Sequence, residues 1–298
     1  MNSAIKNSFS IKDLENFSGI KAHTIRIWEK RHNLLNPMRT GTNIRQYDTE
    51  NLQKLLNIKL LTEHGYKPST IGAFTQEKLA LTVRQIVSQK SAKFHAISNF
   101  KLAMMNFDQP LFFKTYNALL AEKSFREVFY EVFIPLMEEI GLLWQSGTIT
   151  PAHEHFITYL LRQKILTNTE RLQILDYTRH DKVFVLFLPK HEMHDIGLMY
   201  ANYELTLHGY RSIYLGESVP MESLQEIKNL FQNVVYVSYL TVEPKSDDLA
   251  NYLKRFTTDI MDETSEFWIL GKRVDEISGR LPSNIRTFSQ LTELLNEL

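Results

Sequence analysis

The short segment Glu192-Met193-His194-Asp195-Ile196-Gly197 holds the residues best suited to chemistry. A neutral imidazole is a good ligand for transition metals, and a carboxylate that holds its other ring nitrogen fixes the tautomer and raises the basicity. Glu192 and His194 therefore predict a metal-binding imidazole with its orienting carboxylate. The sequence contains no cysteine, which excludes sulfur ligands, disulfides and a cysteine nucleophile. A metal must be held by His, by carboxylate or by a bound macrocycle.

The elements around this segment alternate between short apolar runs and helical patterns. The apolar run 183–188 is typical of a strand covered on both faces. Strands alternating with helices predict a parallel sheet with right-handed crossovers, and five such units fit a flavodoxin-like, Rossmann-type doubly wound fold. Ligands bind beyond the carboxyl ends of such strands. No Gly-x-Gly-x-x-Gly or Walker-type loop is present, so a nucleotide is disfavoured. The predicted strands are 183–188, 212–215, 234–238, 267–270 and 285–288, and the predicted helices are 197–208, 221–230 and 246–258.

Residues 78–178 contain almost no glycine, and their apolar residues recur at three- and four-residue spacing. This periodicity predicts a bundle of about four helices. One stretch departs from simple packing: nine residues after Trp144, the pair Glu154-His155 opens the next helix.

The first 80 residues carry 12 lysines and arginines against 7 acidic residues, in a chain whose formal net charge is zero. A basic end is typical of a module that binds a polyanion. Two short helical patterns joined at Gly19 predict a helix-turn-helix, whose second helix enters the major groove. The segment 37–47 then predicts a β-wing, and an apolar helix follows from Thr49.

This N-terminal segment resembles the winged-helix DNA-binding domain of the MerR family over roughly residues 8–76. The likeness lies in Ile25–Arg31, in Pro37-x-Arg39-Thr40 and in Arg45-x-Tyr47. It implies binding to a double-stranded DNA operator. The alternative for Arg26 is a solvated helix-face charge, while Trp28 is expected in the core. By resemblance, the residues facing DNA are His23, Thr24, Arg26, Arg39, Arg45 and Tyr47.

The segment 192–197 resembles the cobalamin-binding box Asp-x-His-x-x-Gly, with Glu in place of Asp. The resemblance implies that His194 binds cobalt from below and that Gly197 leaves room for the displaced nucleotide tail of the cofactor. The family commonly has Gly-Gly after the fourth strand, whereas this chain has Gly271-Lys272. The Lys272 side chain would either narrow the slot for the nucleotide tail or lie outward, and the affinity for cobalamin depends on which of the two holds. The other residues that match the family are Glu192, Asp195, Gly216, Pro220, Ser238, Leu240 and Gly271.

The Trp144, Glu154-His155 pattern resembles the helical cap of cobalamin-dependent MerR-type photoreceptor repressors. The resemblance implies that Trp144 covers the upper face of the corrin and that Glu154 lies beside an adenosyl group. It also makes His155 a candidate upper ligand of cobalt. The alternative is a buried Trp and a solvated Glu-His pair at a helix N-terminus, where Glu is favoured in any case.

We therefore expect three domains: a MerR-type winged helix-turn-helix at 1–77, a helical-bundle cap at 78–178 and a flavodoxin-like cobalamin-binding domain at 179–298. The expected function is that of a cobalamin-binding regulator rather than an enzyme. It would be a repressor whose oligomerisation, as a dimer or tetramer, and DNA binding are set by adenosylcobalamin and by light.

Three alternatives remain open. They are a light-independent sensor of cobalamin availability, a component of a cobalamin-dependent methyltransferase or mutase, and a regulator whose cobalamin site has decayed. No signal peptide and no apolar stretch of membrane-spanning length is apparent, so a cytoplasmic protein without a membrane partner is expected.

Overall fold

The computed structural model describes residues 8–87, 92–277 and 281–298. The chain forms two compact units, Met1–Tyr159 and Leu160–Leu298. The first unit contains the predicted DNA-binding domain and most of the predicted bundle, and the division into three domains at residues 77 and 178 stays a prediction. No helix of the described residues is long and apolar enough to cross a membrane.

The first unit opens with a winged helix-turn-helix. Helix α1 begins with a capping box, in which the Ser10 hydroxyl accepts from the Asp13 amide and the Asp13 carboxylate accepts from the Ser10 amide. It ends at Gly19, whose φ of 72° is the left-handed conformation that the inter-helix turn requires. The helix-turn-helix with its wing is confirmed. Its elements are α1 (Ile11–Ser18), α2 (Ala22–His32), the antiparallel pair β1 (Met38–Arg39) and β2 (Arg45–Gln46), α3 (Thr49–Glu63) and α4 (Pro68–Gly72).

The remaining elements of the first unit are helical, as predicted. An uninterrupted helical run joins α8 to α9 through a π-helical turn at Phe129–Phe133. The last helix, α10, continues past Tyr159 into the second unit. The helices are α5 (Gln76–Val87), α6 (Ala92–Asn106), α7 (Gln109–Leu120), α8 (Phe125–Val128), α9 (Ile134–Gln145) and α10 (Pro151–Gln173).

Buried polar contacts attach α1 to these helices within the first unit. The ammonium of Lys101, a residue that is 4 % exposed, donates to the carbonyl of Phe17 at 3.0 Å and pairs with Glu139. The Asn16 side-chain amide donates to the hydroxyl of Thr148 at 2.9 Å. A buried ammonium is costly unless it is paired and hydrogen-bonded, so these contacts hold the DNA-binding helices against the bundle.

The second unit is a doubly wound α/β domain, as predicted. All pairings in its five-stranded sheet are parallel, and the strand order is β4-β3-β5-β6-β7, which is the 2-1-3-4-5 order of flavodoxin-like folds. Its strands are β3 (Arg179–Pro189), β4 (Tyr210–Val219), β5 (Val234–Tyr239), β6 (Glu266–Leu270) and β7 (Ile285–Thr287), and its helices are α11 (Ile196–Leu207), α12 (Gln225–Leu230), α13 (Leu249–Asp259) and α14 (Leu291–Leu295).

The order of these strands positions the candidate site. Strand β3 lies between β4 and β5, and its residues 184–188 are completely buried. Because parallel strands end at the same edge, the loops after β3, β4, β5 and β6 meet at the carboxyl edge of the sheet. Edge strand β4 is longer than predicted, because Val219 pairs with Pro189 beyond an irregularity in the register at Glu217 and Ser218.

Candidate functional site

Glu192 and His194 are in direct contact in the loop between β3 and α11. The Glu192 side chain is completely buried, and its Oε1 lies 2.6 Å from Nδ1 of His194. An ionised carboxylate can only accept, so Nδ1 carries the proton of the neutral ring. The His194 side chain is 61 % exposed. Nε2 is therefore the ring nitrogen suited to bind a metal.

The same carboxylate also fastens the loop that follows β5. Oε2 of Glu192 accepts hydrogen bonds from three successive amides, those of Thr241 at 3.2 Å, Val242 at 2.6 Å and Glu243 at 2.9 Å. Burial raises the pKa of Glu192, but the hydrogen bonds from His194 and from these amides outweigh burial and hold the pKa well below its usual range. Glu192 is thus an ionised cross-link between two loops at the sheet edge.

Asp195 is held by an ion pair that the sequence analysis did not predict. The Arg162 guanidinium on α10 pairs with the Asp195 carboxylate at 2.8 Å and donates to the carbonyl of Met193 at 3.3 Å. Asp195 is 8 % exposed, and burial raises its pKa while Arg162 opposes that rise. The loop that carries His194 is therefore clamped from both sides, by Glu192 and by Arg162.

Two further predicted residues, Ser238 and Gly271, lie at the carboxyl ends of β5 and β6. The Ser238 hydroxyl, at the end of β5, is buried and has no hydrogen-bond partner within the described part of the chain. Gly271 has a φ of 102°, and a Cβ there would lie 2.3 Å from the carbonyl oxygen of Leu240, so glycine is required at this step. Lys272 is exposed, as expected if its side chain lies outward and not in the slot for the nucleotide tail.

Gly216 and Pro220 lie farther along the same edge. Gly216 pairs with Phe187 of β3 and has a φ of 85°. Pro220 is exposed and precedes the 3₁₀ turn Met221–Leu224. Gly216 therefore lies within β4, and Pro220 directly follows the last residue of that strand.

These residues fit a cobalamin. The only metal ligand that these residues offer is one oriented imidazole, which is enough for a metal that a macrocycle already holds. The Ser238 hydroxyl, which has no partner in the described residues, can form a hydrogen bond with a polar atom of a bound group. The assignment of His194 as the cobalt ligand stays a prediction.

The predicted cap residues lie in the first unit. Trp144, near the end of α9, is 46 % exposed. Glu154 lies in the first turn of α10 and His155 directly follows it, with Nε2 of His155 3.5 Å from Oε2 of Glu154. The His155 side chain is 78 % exposed. All three side chains therefore have the accessibility that a contact with a bound group needs, and their roles stay predictions.

His153 is a neighbour that the sequence reasoning missed. It is 1 % exposed, and its ring stacks on Phe107 with the centroids 4.9 Å apart. Its Nδ1 lies 2.8 Å from the hydroxyl of Thr150. His153 thus anchors the start of α10, the turn that presents Glu154 and His155.

On the winged domain, most residues predicted to face DNA are accessible. His23, Arg26 and Arg39 are exposed and Thr24 is partly exposed. Arg39 donates to the side chain of Asn43 across the wing tip at 2.7 Å. These positions fit contact with a phosphate backbone, which remains a prediction.

Tyr47 is placed differently from the prediction. Its side chain is completely buried, and its hydroxyl donates to Glu29 at 2.9 Å. Burial raises the pKa of Tyr47, and the Glu29 carboxylate adds to the rise. Arg45 Nε donates to the other oxygen of Glu29 at 2.9 Å. In this structure Tyr47 does not face outward, because its ring completes the small core of the domain while Glu29 ties the wing to α2.

Comparisons with known proteins agree with this arrangement. Residues 9–78 match the family model of the MerR HTH family regulatory protein, and residues 96–166, which include the cap residues, match the B12 binding domain. The HTH-type transcriptional repressor CarH of Myxococcus xanthus is 28% identical over 225 residues, covering 74% of each chain. The HTH-type transcriptional repressor CarA of the same organism is 23% identical over 229 residues, covering 72% of this chain and 70% of its own.

The fold has a counterpart among solved structures. The monomethylamine corrinoid protein of Methanosarcina barkeri matches 68% of this chain and 96% of its own, with a TM-score of 0.51 at 15% identity. At that identity the likeness concerns the fold alone. The chain thus carries a MerR-type HTH region followed by a region that matches the B12 binding domain, and over 74% of its length it is similar to a transcriptional repressor.

Proposed function

We propose that this protein is a transcriptional repressor whose assembly and DNA binding are set by adenosylcobalamin and by light. One observation carries the proposal: an accessible imidazole, oriented by a buried ionised carboxylate, lies at the ligand-binding edge of the sheet. The same chain carries a DNA-binding domain, so the state of a bound cofactor can act as a signal.

In this proposal, His194 would hold the cobalt of the cofactor through Nε2, and Glu192 would keep the ring in the correct tautomer. Trp144, Glu154 and His155 would contact the reactive group of the cofactor. When bound, the cofactor supplies a cobalt–carbon bond that light can cleave. The residues that would line the lower side and the tail slot are Asp195, Gly197, Gly216, Pro220, Ser238, Leu240 and Gly271.

The switch must rest on contacts that differ between two states of the cofactor, because a ligand shifts an equilibrium only by its differential affinity. We assign such contacts to Trp144, Glu154 and His155, whose side chains are accessible. The proposed output is a homo-oligomer, a dimer or a tetramer, in which paired α2 helices read the two half-sites of an operator.

A role in regulation is favoured over a role in catalysis. The curated relatives described above are transcriptional repressors, and the winged domain serves no purpose in a methyltransferase component. We therefore propose that the protein is not an enzyme.

Gel filtration and DNA-binding assays of the full chain test the proposal. We expect adenosylcobalamin in darkness to give a larger assembly and tight DNA binding, and green light to reverse both. His194→Ala should show neither change, whereas the exposed-residue control His180→Ala should behave like wild type.

Two outcomes would contradict the proposal. Equal responses in darkness and light, with methylcobalamin as effective as the adenosyl form, would instead indicate a sensor of cobalamin availability. Failure of wild type to take up any cobalamin would indicate a decayed site.

A further inference from the structure

The ring of Tyr239 rests directly against Gly197. Tyr239 is the last residue of β5, and Gly197 lies in the first turn of α11. A Cβ built on Gly197 would lie 2.7 Å from Cε2, 2.9 Å from Cζ and 3.0 Å from Cδ2 of that ring. Real Cβ atoms do not approach other atoms so closely, so only glycine fits while the ring is in this position.

Apart from Gly197, the surroundings of the ring are apolar. Tyr239 is half-buried and packs on the core cluster that includes Leu188, Leu198 and Val237. Next to it in the chain, the buried Ser238 hydroxyl has no hydrogen-bond partner in the ranges that the structure describes. Successive residues of a strand point to opposite faces of the sheet, so Tyr239 supplies a flat apolar surface on the face of α11 while the Ser238 hydroxyl lies on the other face.

The nucleotide tail of cobalamin has the matching chemistry. It ends in a flat benzimidazole base with a ring nitrogen that accepts hydrogen bonds. A base of this kind suits the apolar surface on which the Tyr239 ring packs. The tail and the Tyr239 ring cannot occupy the space beside Gly197 together, because atoms already in van der Waals contact leave no room for a second flat ring.

We propose that Tyr239 is a specificity-determining residue that restricts entry of the cofactor's nucleotide tail at Gly197. The proposal rests on the proposed cobalamin function. A corrinoid with the tail binds only when the Tyr239 ring has turned away from Gly197. Its apparent association rate is therefore the intrinsic rate multiplied by the fraction of molecules in which the ring has turned away. A corrinoid without the tail does not need this space and meets no such restriction.

Stopped-flow absorption with the full chain in darkness tests the proposal. Adenosylcobalamin and adenosylcobinamide share the corrin and the adenosyl group, and only the former carries the tail. We expect Tyr239→Ala to accelerate association of adenosylcobalamin by about tenfold and to leave that of adenosylcobinamide unchanged. Tyr239→Phe keeps the ring and should match wild type with both corrinoids.

The outcomes separate this proposal from the function on which it rests. Wild type that binds neither corrinoid would refute the cobalamin function and, with it, a role for Tyr239. Wild type that binds cobalamin, with no tail-dependent acceleration in Tyr239→Ala, would overturn only the role of Tyr239. If circular dichroism shows that Tyr239→Ala is unfolded, Tyr239→Leu, which keeps apolar bulk without a flat ring, gives the same comparison.

Discussion

The Glu192 carboxylate contacts Nδ1 of His194 at 2.6 Å with one oxygen, and with the other it accepts from the amides of Thr241, Val242 and Glu243. A single side chain thus orients the candidate metal ligand and joins two loops of the sheet edge. The position of the imidazole consequently depends on the structure of the β5 loop as well as on its own loop.

Replacing Glu192 by Gln should impair both functions of this carboxylate. Gln has one oxygen and an amino group, so either His194 or the three amides lose their acceptor. We expect cobalamin affinity to fall about 10- to 100-fold, as for other groups that orient metal-binding histidines. We also expect unfolding of the second unit to become easier by about 2–4 kcal/mol, because buried donors are left unsatisfied. Absorption titration and urea unfolding measure the two effects.

The matched control is Glu226→Gln, an exposed glutamate of the same unit. It should change neither quantity. Wild-type affinity in Glu192→Gln would mean that the carboxylate is not needed to orient His194.

Removing the clamp at Asp195 should destabilise the His194 loop from its other side. Arg162→Met leaves a buried carboxylate without its partner, which should cost about 1–3 kcal/mol after allowance for the partial exposure of Arg162. The double variant Arg162→Met with Asp195→Asn should recover part of that loss, since the uncompensated charge is gone. Urea unfolding compares both with Arg171→Met, an exposed arginine on the same helix. Equal stability of Arg162→Met and Arg171→Met would refute the clamp.

Glu266 offers a pH signature of stability in the second unit. It accepts from Lys182 at 2.7 Å and from the indole of the buried Trp268 at 2.8 Å. Burial raises its pKa, but these hydrogen bonds outweigh burial and leave the pKa below the ordinary 4.5. A carboxyl with a lowered folded-state pKa contributes stability above its ordinary pKa and loses the contribution as the pH falls.

We therefore expect Glu266→Gln to lower the free energy of unfolding by about 1–2 kcal/mol at pH 7. The difference from wild type should shrink as the pH falls below 4.5, the ordinary pKa of the glutamate. Chemical denaturation at several pH values tests this, with the exposed Glu263→Gln as control. A difference that is constant with pH would show that the charge of Glu266 is not responsible.

In the winged domain, a residue that contacts DNA can be distinguished from one that braces the wing. Arg26→Ala should weaken DNA binding and reduce the slope of log K against log salt concentration by about 1, if the exposed guanidinium neutralises a phosphate. Tyr47→Phe loses the bond to Glu29, so it should weaken binding with an unchanged slope. DNA titrations at several salt concentrations measure both. A fall in slope for Tyr47→Phe equal to that for Arg26→Ala would assign Tyr47 to the DNA contact after all.

Local sequence patterns were sufficient to predict the elements and the His194 loop. The fully apolar run at 184–188 could only be a central strand, and Glu192 lies close enough in sequence to His194 for their contact to be expected. The pairing of Arg162 with Asp195 could not be found in this way, because it joins residues on different elements and depends on tertiary packing.

Two further differences have equally physical causes. Residues two apart on an α-helix are separated by about 200° around its axis, so His153 is buried while His155, with a similar local sequence, is exposed. Tyr47 has the residue type and sequence position of a wing contact, but its large ring stabilises a small domain more when it is buried in the core than when it is exposed. Exposure of a histidine or an aromatic residue is decided by its facing direction, which residue type alone does not give.

The central claim is that a nitrogen of His194 binds cobalt in place of the cofactor's own base. Electron paramagnetic resonance of cob(II)alamin bound to uniformly ¹⁵N-labelled protein tests it directly. We predict that the ligand nitrogen splits the cobalt lines into doublets, as a ¹⁵N nucleus of the protein must, and that His194→Ala abolishes these doublets. Triplets from the ¹⁴N of the cofactor's benzimidazole, in the labelled wild-type protein, would contradict the account.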